Sequence, residues 1–241
     1  MGASLLTSIR VVRGMLQISG GTLVDSVRGR LTKEASDDRL AWWGSEVVRH
    51  AGIRLVVEGK EHLASREPFI VMSNHQSHFD IPVLFHAVSP SLRMVTKTEL
   101  FRIPVWGPAM RQSGFIEIDR KNRESAIRSL EVARERLAQG VNVWIAPEGT
   151  RSRTGTMLPF KKGGFMLAIE SETRILPIGI SGTRDVLPAD SLASHFGQRV
   201  AVVVGAPIDV KGKDRDALMT ETRATLEGLV ARAETRRSSA P

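Results

Sequence analysis

The 241-residue chain has no cysteine and no tyrosine. The first absence removes disulfides, thiolate metal ligands and a thiol nucleophile from consideration. The second, with basic residues scattered rather than clustered, argues against a nucleic-acid-binding surface built on stacking aromatics. Long apolar runs are also missing. No stretch reaches the roughly 18 uninterrupted apolar residues of a membrane-spanning helix, and the N-terminal segment is interrupted by Arg10 and Arg13 without a small-residue cleavage site, so neither a span nor a signal peptide is expected. MGASLL misses the myristoylation pattern because Leu6 replaces the required Ser or Thr.

Basic charge is in excess: 34 Lys and Arg face 26 acids, a formal net charge of +8. That balance suits an anionic membrane or a phosphorylated small molecule. With 41% hydrophobic and 25% charged residues, the chain is of ordinary globular composition.

Two helical stretches come first. Residues 4–19 carry Leu5, Ile9, Val12 and Leu16 on one stripe, and residues 36–52 carry Leu40, Trp43, Val47 and Ala51, with Trp42 beside them. Each stripe can lie on a membrane surface or pack on the main domain. From residue 53 onward, strands alternate with helices. Strands are predicted at 53–58, 69–73, 93–96, 115–118, 142–146, 176–181 and 200–204. Helices are predicted at 80–88, 104–112, 123–139, 163–172 and 214–234, with Asn122 capping the third and Gly140 ending it. The alternation implies an α/β fold with a mixed, largely parallel sheet flanked by helices. The expected organisation is an N-terminal helical membrane-association segment (1–50), a main domain (51–210) and a C-terminal helix and tail (211–241). Only the terminal RRSSAP reads as disordered.

Residues 74–82, NHQSHFDIP, hold the densest chemistry. His75 and Asp80 are five positions apart, so on a continuous helix they would diverge by about 140°, and on a strand they would face opposite sides. They meet only if a strand ends before His75 and a helix starts near Asp80. Pro82 fits that arrangement because its missing N–H costs nothing in a first helical turn. A His–Asp pair can serve as a base whose tautomer the carboxylate holds. Equally, Ser77-x-x-Asp80 can be a capping box with no chemistry. A metal site would need His75, His78 and a third ligand, and the remaining histidines are scattered.

NHQSHFD resembles the NHxSxxD signature of the PlsC-type 1-acylglycerol-3-phosphate acyltransferases. GFIEIDR (114–120), APEGTR (146–151) and ILPIGISGTR (175–184) follow in the order of that family's motifs, so the resemblance covers about residues 45–210. It implies a glycerol-3-phosphate acyltransferase-like fold and acyl transfer from a thioester to the sn-2 hydroxyl of lysophosphatidate, with His75 as general base and Asp80 orienting it. Arg120 and Arg151 are then expected to bind the acceptor phosphate and Glu148 to hold the glycerol, with Gly149 and Thr150 shaping the loop. Lys97, Lys161 and Lys162 are further candidates for phosphate contact. Ala146 departs from the family, which has an aromatic there. The strand in ILPIGISG is expected to line the acyl-donor groove.

The resemblance further implies no metal and no cofactor, with acyl-coenzyme A or acyl carrier protein as donor. Its expected partners are a lysophospholipid acceptor and a membrane surface, and its expected location the cytoplasmic face, in peripheral or monotopic attachment. Alternatives are the same chemistry on another lysophospholipid or a lyso-ornithine lipid, a metal-dependent hydrolase, or a non-catalytic lipid-binding protein. Asp80→Asn is expected to be damaging because an amide can favour the wrong imidazole tautomer.

Overall fold

The computed structural model describes residues 5–65, 67–88, 91–119, 122–191 and 193–239. The chain opens with α1 (Leu5–Val27) and α2 (Lys33–His50), an antiparallel pair ahead of the sheet. Then come β1 (Arg54–Glu58), β2 (Ile70–Ser73), α3 (Asp80–Ala87), β3 (Leu92–Lys97), α4 (Thr98–Phe101), α5 (Trp106–Gln112) and β4 (Ile116–Ile118). The remainder is α6 (Arg123–Ala138), β5 (Asn142–Ile145), α7 (Gly163–Glu170), β6 (Ile175–Ser181), α8 (Thr183–Val186), β7 (Arg199–Val204) and α9 (Arg215–Ser239).

Among the described residues, seven strands form one sheet in the order β1-β7-β6-β2-β5-β3-β4. The five strands from β6 to β4 are mutually parallel, and β7 runs antiparallel to β6. The expected mixed, largely parallel sheet is therefore present. Each predicted strand lies within about one residue of an observed one.

Three expectations need correcting. The helix predicted over 4–19 continues to Val27. The Gly20–Gly21 pair does not end it, because α2 packs alongside and Asp25 in the next turn is paired with Arg39 of α2. The terminal segment expected to be disordered is helical through Ser239. Its arginines are tied to the domain: Arg236 pairs with Glu58 and Arg237 with Asp185. Finally, β6 is not a groove wall. All seven of its residues are buried, between β7 and β2 and beneath α9.

The two N-terminal stripes part company. Leu40, Val47 and Ala51 of α2 are buried in the core formed with α3. Close contact between these helices is possible because Gly44 lacks a side chain; a Cβ there would stand 2.8 Å from the Pro82 carbonyl oxygen. On α1, by contrast, Ile9, Val12 and Leu16 are 47–55% exposed, and Trp42 of α2 is 42% exposed. Leu5's side chain lies outside the described residues.

Candidate active site

The expected change of conformation occurs where the sequence places it. β2 ends at Ser73, a turn carries residues 74–79, and α3 begins at Asp80 with Pro82 in its first turn. His75 Nδ1 stands 2.7 Å from Asp80 Oδ2. The same carboxylate oxygen accepts the backbone N–H groups of Gln76 (2.8 Å) and Ser77 (3.0 Å), and Oδ1 accepts the hydroxyl of Thr183. Asp80 is fully buried. Removing a carboxylate from water costs several kcal/mol, and hydrogen bonds to a charged group return about 1.5–3 kcal/mol each, so four donors can sustain it.

The contacts that each reading requires are present. Asp80 accepts the Ser77 N–H, one half of a capping box, and also holds the imidazole. Ser77 is spent on structure: its hydroxyl donates to the Leu187 carbonyl and accepts from Phe79 N–H. Asn74 fastens the turn to β6 by a reciprocal pair of bonds, donating to Ile180 O and accepting from Ile180 N, both at 2.9 Å. Trp144 of β5 packs edge-on against His75, ring centroids 5.3 Å apart, and its indole N–H donates to Ser73 Oγ.

Glu148 lies directly beneath the turn. One carboxylate oxygen accepts His75 N–H at 3.0 Å and the other accepts Leu158 N–H at 2.7 Å. Burial raises its pKa, against the pull of these two amides. The residue is 2% exposed, and these two bonds lock the His75 backbone to the loop after β5. Gly149 follows with φ +71°, a left-handed conformation that glycine adopts without strain.

Arg151 is half-buried and donates to the Ala189 carbonyl at 2.8 Å. Thr150 is exposed on the same loop, and the Lys161 side chain runs over Gly149. Lys97 ends β3 and is exposed. His78 is exposed at its surface, but partial desolvation by the atoms around it lowers its pKa to about 4; positive charge from Arg151, His75 and Lys97 adds to the shift, and Asp80 opposes it. Arg151, Lys97 and His75 are thus near enough for their charge to act on His78. Lys162 is exposed just before α7; Arg215 chiefly lowers the Asp216 carboxyl of α9, and the charge of Lys162 adds a little to that. β4 ends at Ile118, and Arg120 itself lies outside the described residues. Among the described residues, no group of three or more His, Asp or Glu gathers as a metal-holding set.

The gathered residues come from four adjacent parallel strands. Thr183 follows β6, His75 follows β2, Glu148 and Arg151 follow β5, and Lys97 ends β3. All lie at the carboxyl edge, where open α/β sheets bind ligands. Thr183, Asn74 and Trp144 were not singled out from the sequence. The first two stand inside the quoted motifs, so motif membership was the available signal; for Trp144 there was none.

Fold and site together define an α/β protein with a carboxylate-held histidine and basic residues at the ends of its parallel strands. The Acyltransferase family model matches residues 54–181. The chain is 35% identical over 194 residues to 1-acyl-sn-glycerol-3-phosphate acyltransferase alpha of Mus musculus, covering 80% of this chain and 67% of that one. It is 41% identical over 135 residues to the Homo sapiens protein of the same name, covering 56% of this chain and 48% of that one. The chain therefore spans about half to two thirds of these relatives. The crystal structure of the 1-acyl-sn-glycerophosphate acyltransferase PlsC from Thermotoga maritima superposes with a TM-score of 0.79 at 27% identity, covering 95% of this chain and 96% of that one. The chain belongs to the Acyltransferase family.

Proposed function

We propose that this protein moves a fatty acyl group from an acyl thioester to the sn-2 hydroxyl of 1-acylglycerol-3-phosphate, giving phosphatidate. The observation that carries the proposal is the 2.7 Å His75–Asp80 contact at a sheet edge that also gathers Arg151 and Lys97. The names of the relatives favour this acceptor over other lyso-lipids. The donor is read as acyl-coenzyme A or acyl carrier protein, with no resident cofactor.

In this scheme Asp80 accepts the Nδ1–H of His75, leaving Nε2 as the basic nitrogen. Nε2 takes the proton of the acceptor hydroxyl as its oxygen attacks the thioester carbonyl. A C–O bond forms, and the carbonyl becomes a tetrahedral oxyanion. Its collapse breaks the C–S bond, and the departing thiolate takes the proton from the imidazolium. The ester product and a thiol leave, and His75 is restored. Arg151, with Lys97, Lys161 and the expected Arg120, supplies charge for the acceptor phosphate, while Glu148 fixes the backbone from which His75 projects.

Arg151 tests the acceptor assignment. Arg151→Ala is expected to lower kcat/KM for lysophosphatidate by about 10–100-fold, the worth of a charge-assisted pair, mainly through KM. Turnover of a monoacylglycerol lacking the phosphate should change little. Equal losses on both acceptors would contradict phosphate recognition at Arg151.

The exposed row Ile9, Val12 and Leu16 on α1, flanked by Arg10 and Arg13, supports peripheral attachment to an anionic leaflet on the cytoplasmic side, where both donors are found. Among the described residues, no helix is long and apolar enough to cross a membrane. The double substitution Val12→Glu/Leu16→Glu is expected to cut the fraction floating with phosphatidylglycerol-containing vesicles by about tenfold or more. Ile127→Glu on α6, where the residue is 49% exposed, serves as control and should not alter flotation. Unchanged flotation of the double variant would exclude this face as the contact.

A further inference from the structure

We propose a second anion site, distinct from the acyl-transfer centre: a cavity between the α1–α2 turn and the amino edge of the sheet that takes a phosphate mono- or diester. The cavity has a volume of about 370 Å³, within the range of about 300–1,000 Å³ typical of ligand sites. Its lining includes Lys33, Arg93 and Arg136 and, among the described residues, no carboxylate. Arg93 is the second residue of β3 and Lys97 its last, so this cavity lies about 13 Å along the strand from Lys97.

Two of the three cations share one counter-charge, and Arg136 has no close acidic partner among the described residues. Asp37 pairs with Arg93 at 2.7 Å and with Lys33 at 3.5 Å. Arg93 is 3% exposed and spends further N–H groups on the carbonyls of Ser113 and Leu92. Arg136 donates to Gln139 Oε1 at 3.0 Å, but its Nε is buried and has no hydrogen-bond partner among the described residues. A buried donor without an acceptor is unfavourable; it is closed off from solvent beside Gly114, so a phosphate oxygen satisfies it only when the guanidinium turns toward the cavity.

Gly114 makes the approach possible. Its φ is +84°, and a Cβ there would stand 3.4 Å from Arg136 Nε and 3.7 Å from Arg93 Nε. The two guanidinium groups therefore converge on one bare stretch of backbone. Burial lowers the pKa of Arg93, Asp37 opposes that shift, and the charge of Arg136 adds to it. Two converging guanidiniums with surplus charge recognise phosphate better than carboxylate, whose two oxygens one arginine already satisfies. Glu34 sits at the exposed start of α2 and bonds there locally, so the side chains rather than the helix terminus make this site.

The phosphate can belong to a soluble molecule or to a lipid headgroup; Val24 and Val27, 47% and 89% exposed on the last turns of α1, would flank the tails of a lipid. NMR of the ¹⁵N-labelled full chain in non-ionic micelles separates the sources, using inorganic phosphate and dihexanoyl phosphatidate as probes. The Gly114 amide and Arg136 Nε–H signals are expected to shift saturably. Arg136→Gln and Lys33→Gln, both outside the acyl-transfer site, should each raise the half-saturating concentration at Gly114 by about tenfold, with the His75 amide titration unaltered. Response to inorganic phosphate would identify a soluble anion, and response to the lipid alone a headgroup; either supports the site. No saturable shift up to about 10 mM, ample for millimolar binding, or a shift that persists in both variants, would overturn it. Neither result depends on acyl transfer.

Discussion

His75→Ala is expected to lower the acyl-transfer rate by about 10²–10⁴-fold, the usual loss on removing a general base, while the protein stays folded. The second half of that expectation follows from the hydrogen-bond pattern. Without the imidazole, Asp80 still accepts from Gln76 N–H, Ser77 N–H and Thr183. The backbone N–H of residue 75 still donates to Glu148. What is lost structurally is the edge-on contact with Trp144, worth about 0.5–1.5 kcal/mol, which for a chain of this size is a fall in Tm of a few degrees. Initial rates beside a thermal scan check both halves. A variant as active as the parent would remove His75 from the chemistry, and one that fails to fold would show that the turn depends on the ring.

The second large effect is expected from Asp80→Asn, and the structure changes its cause. An amide beside histidine can select the wrong tautomer. Here the Oδ2 position faces three donors, namely His75 Nδ1 and two backbone N–H groups, whereas Oδ1 faces only the Thr183 hydroxyl. An asparagine satisfies this set one way round, with its oxygen toward the three donors and its NH₂ toward Thr183, whose hydroxyl can accept as well as donate. The tautomer is then retained, and the loss comes from the missing negative charge beside the imidazolium. We expect kcat to fall about 10²-fold or more and Tm to change little. Asp80→Leu, which strands all four donors, should instead destabilise the fold severely. If Asp80→Asn keeps full activity, the carboxylate is only a helix cap.

This contrast marks what can be read from a sequence. That His75 and Asp80 meet was legible, because a strand end, a turn and a proline-bearing helix start leave them one way to do so. Asn122 as the cap of α6 was legible too, and it accepts the Ser125 N–H. Such inferences use neighbours in the chain. Glu148 stood out by motif, but its partners, His75 N–H and Leu158 N–H, follow from how two loops cross the sheet edge. Thr183 reaches Asp80 from 103 positions away, and no local pattern carries that. Likewise, an apolar stripe on α1 looks the same as one on α2. Only tertiary packing tells that Val47 faces α3 while Leu16 faces outward. The antiparallel insertion of β7 beside β6 was hidden for the same reason, since both strands are short apolar runs.

The most direct test is thiol release from acyl-coenzyme A or acyl carrier protein, with and without lysophosphatidate in detergent micelles, for the parent protein and His75→Ala. The chain has no cysteine, so a thiol-reactive dye reports the released thiol against no background from the protein itself. The account predicts release that requires both the acceptor and His75, with phosphatidate formed in equal amount. Release that proceeds at the same rate without acceptor, or undiminished in His75→Ala, would contradict it.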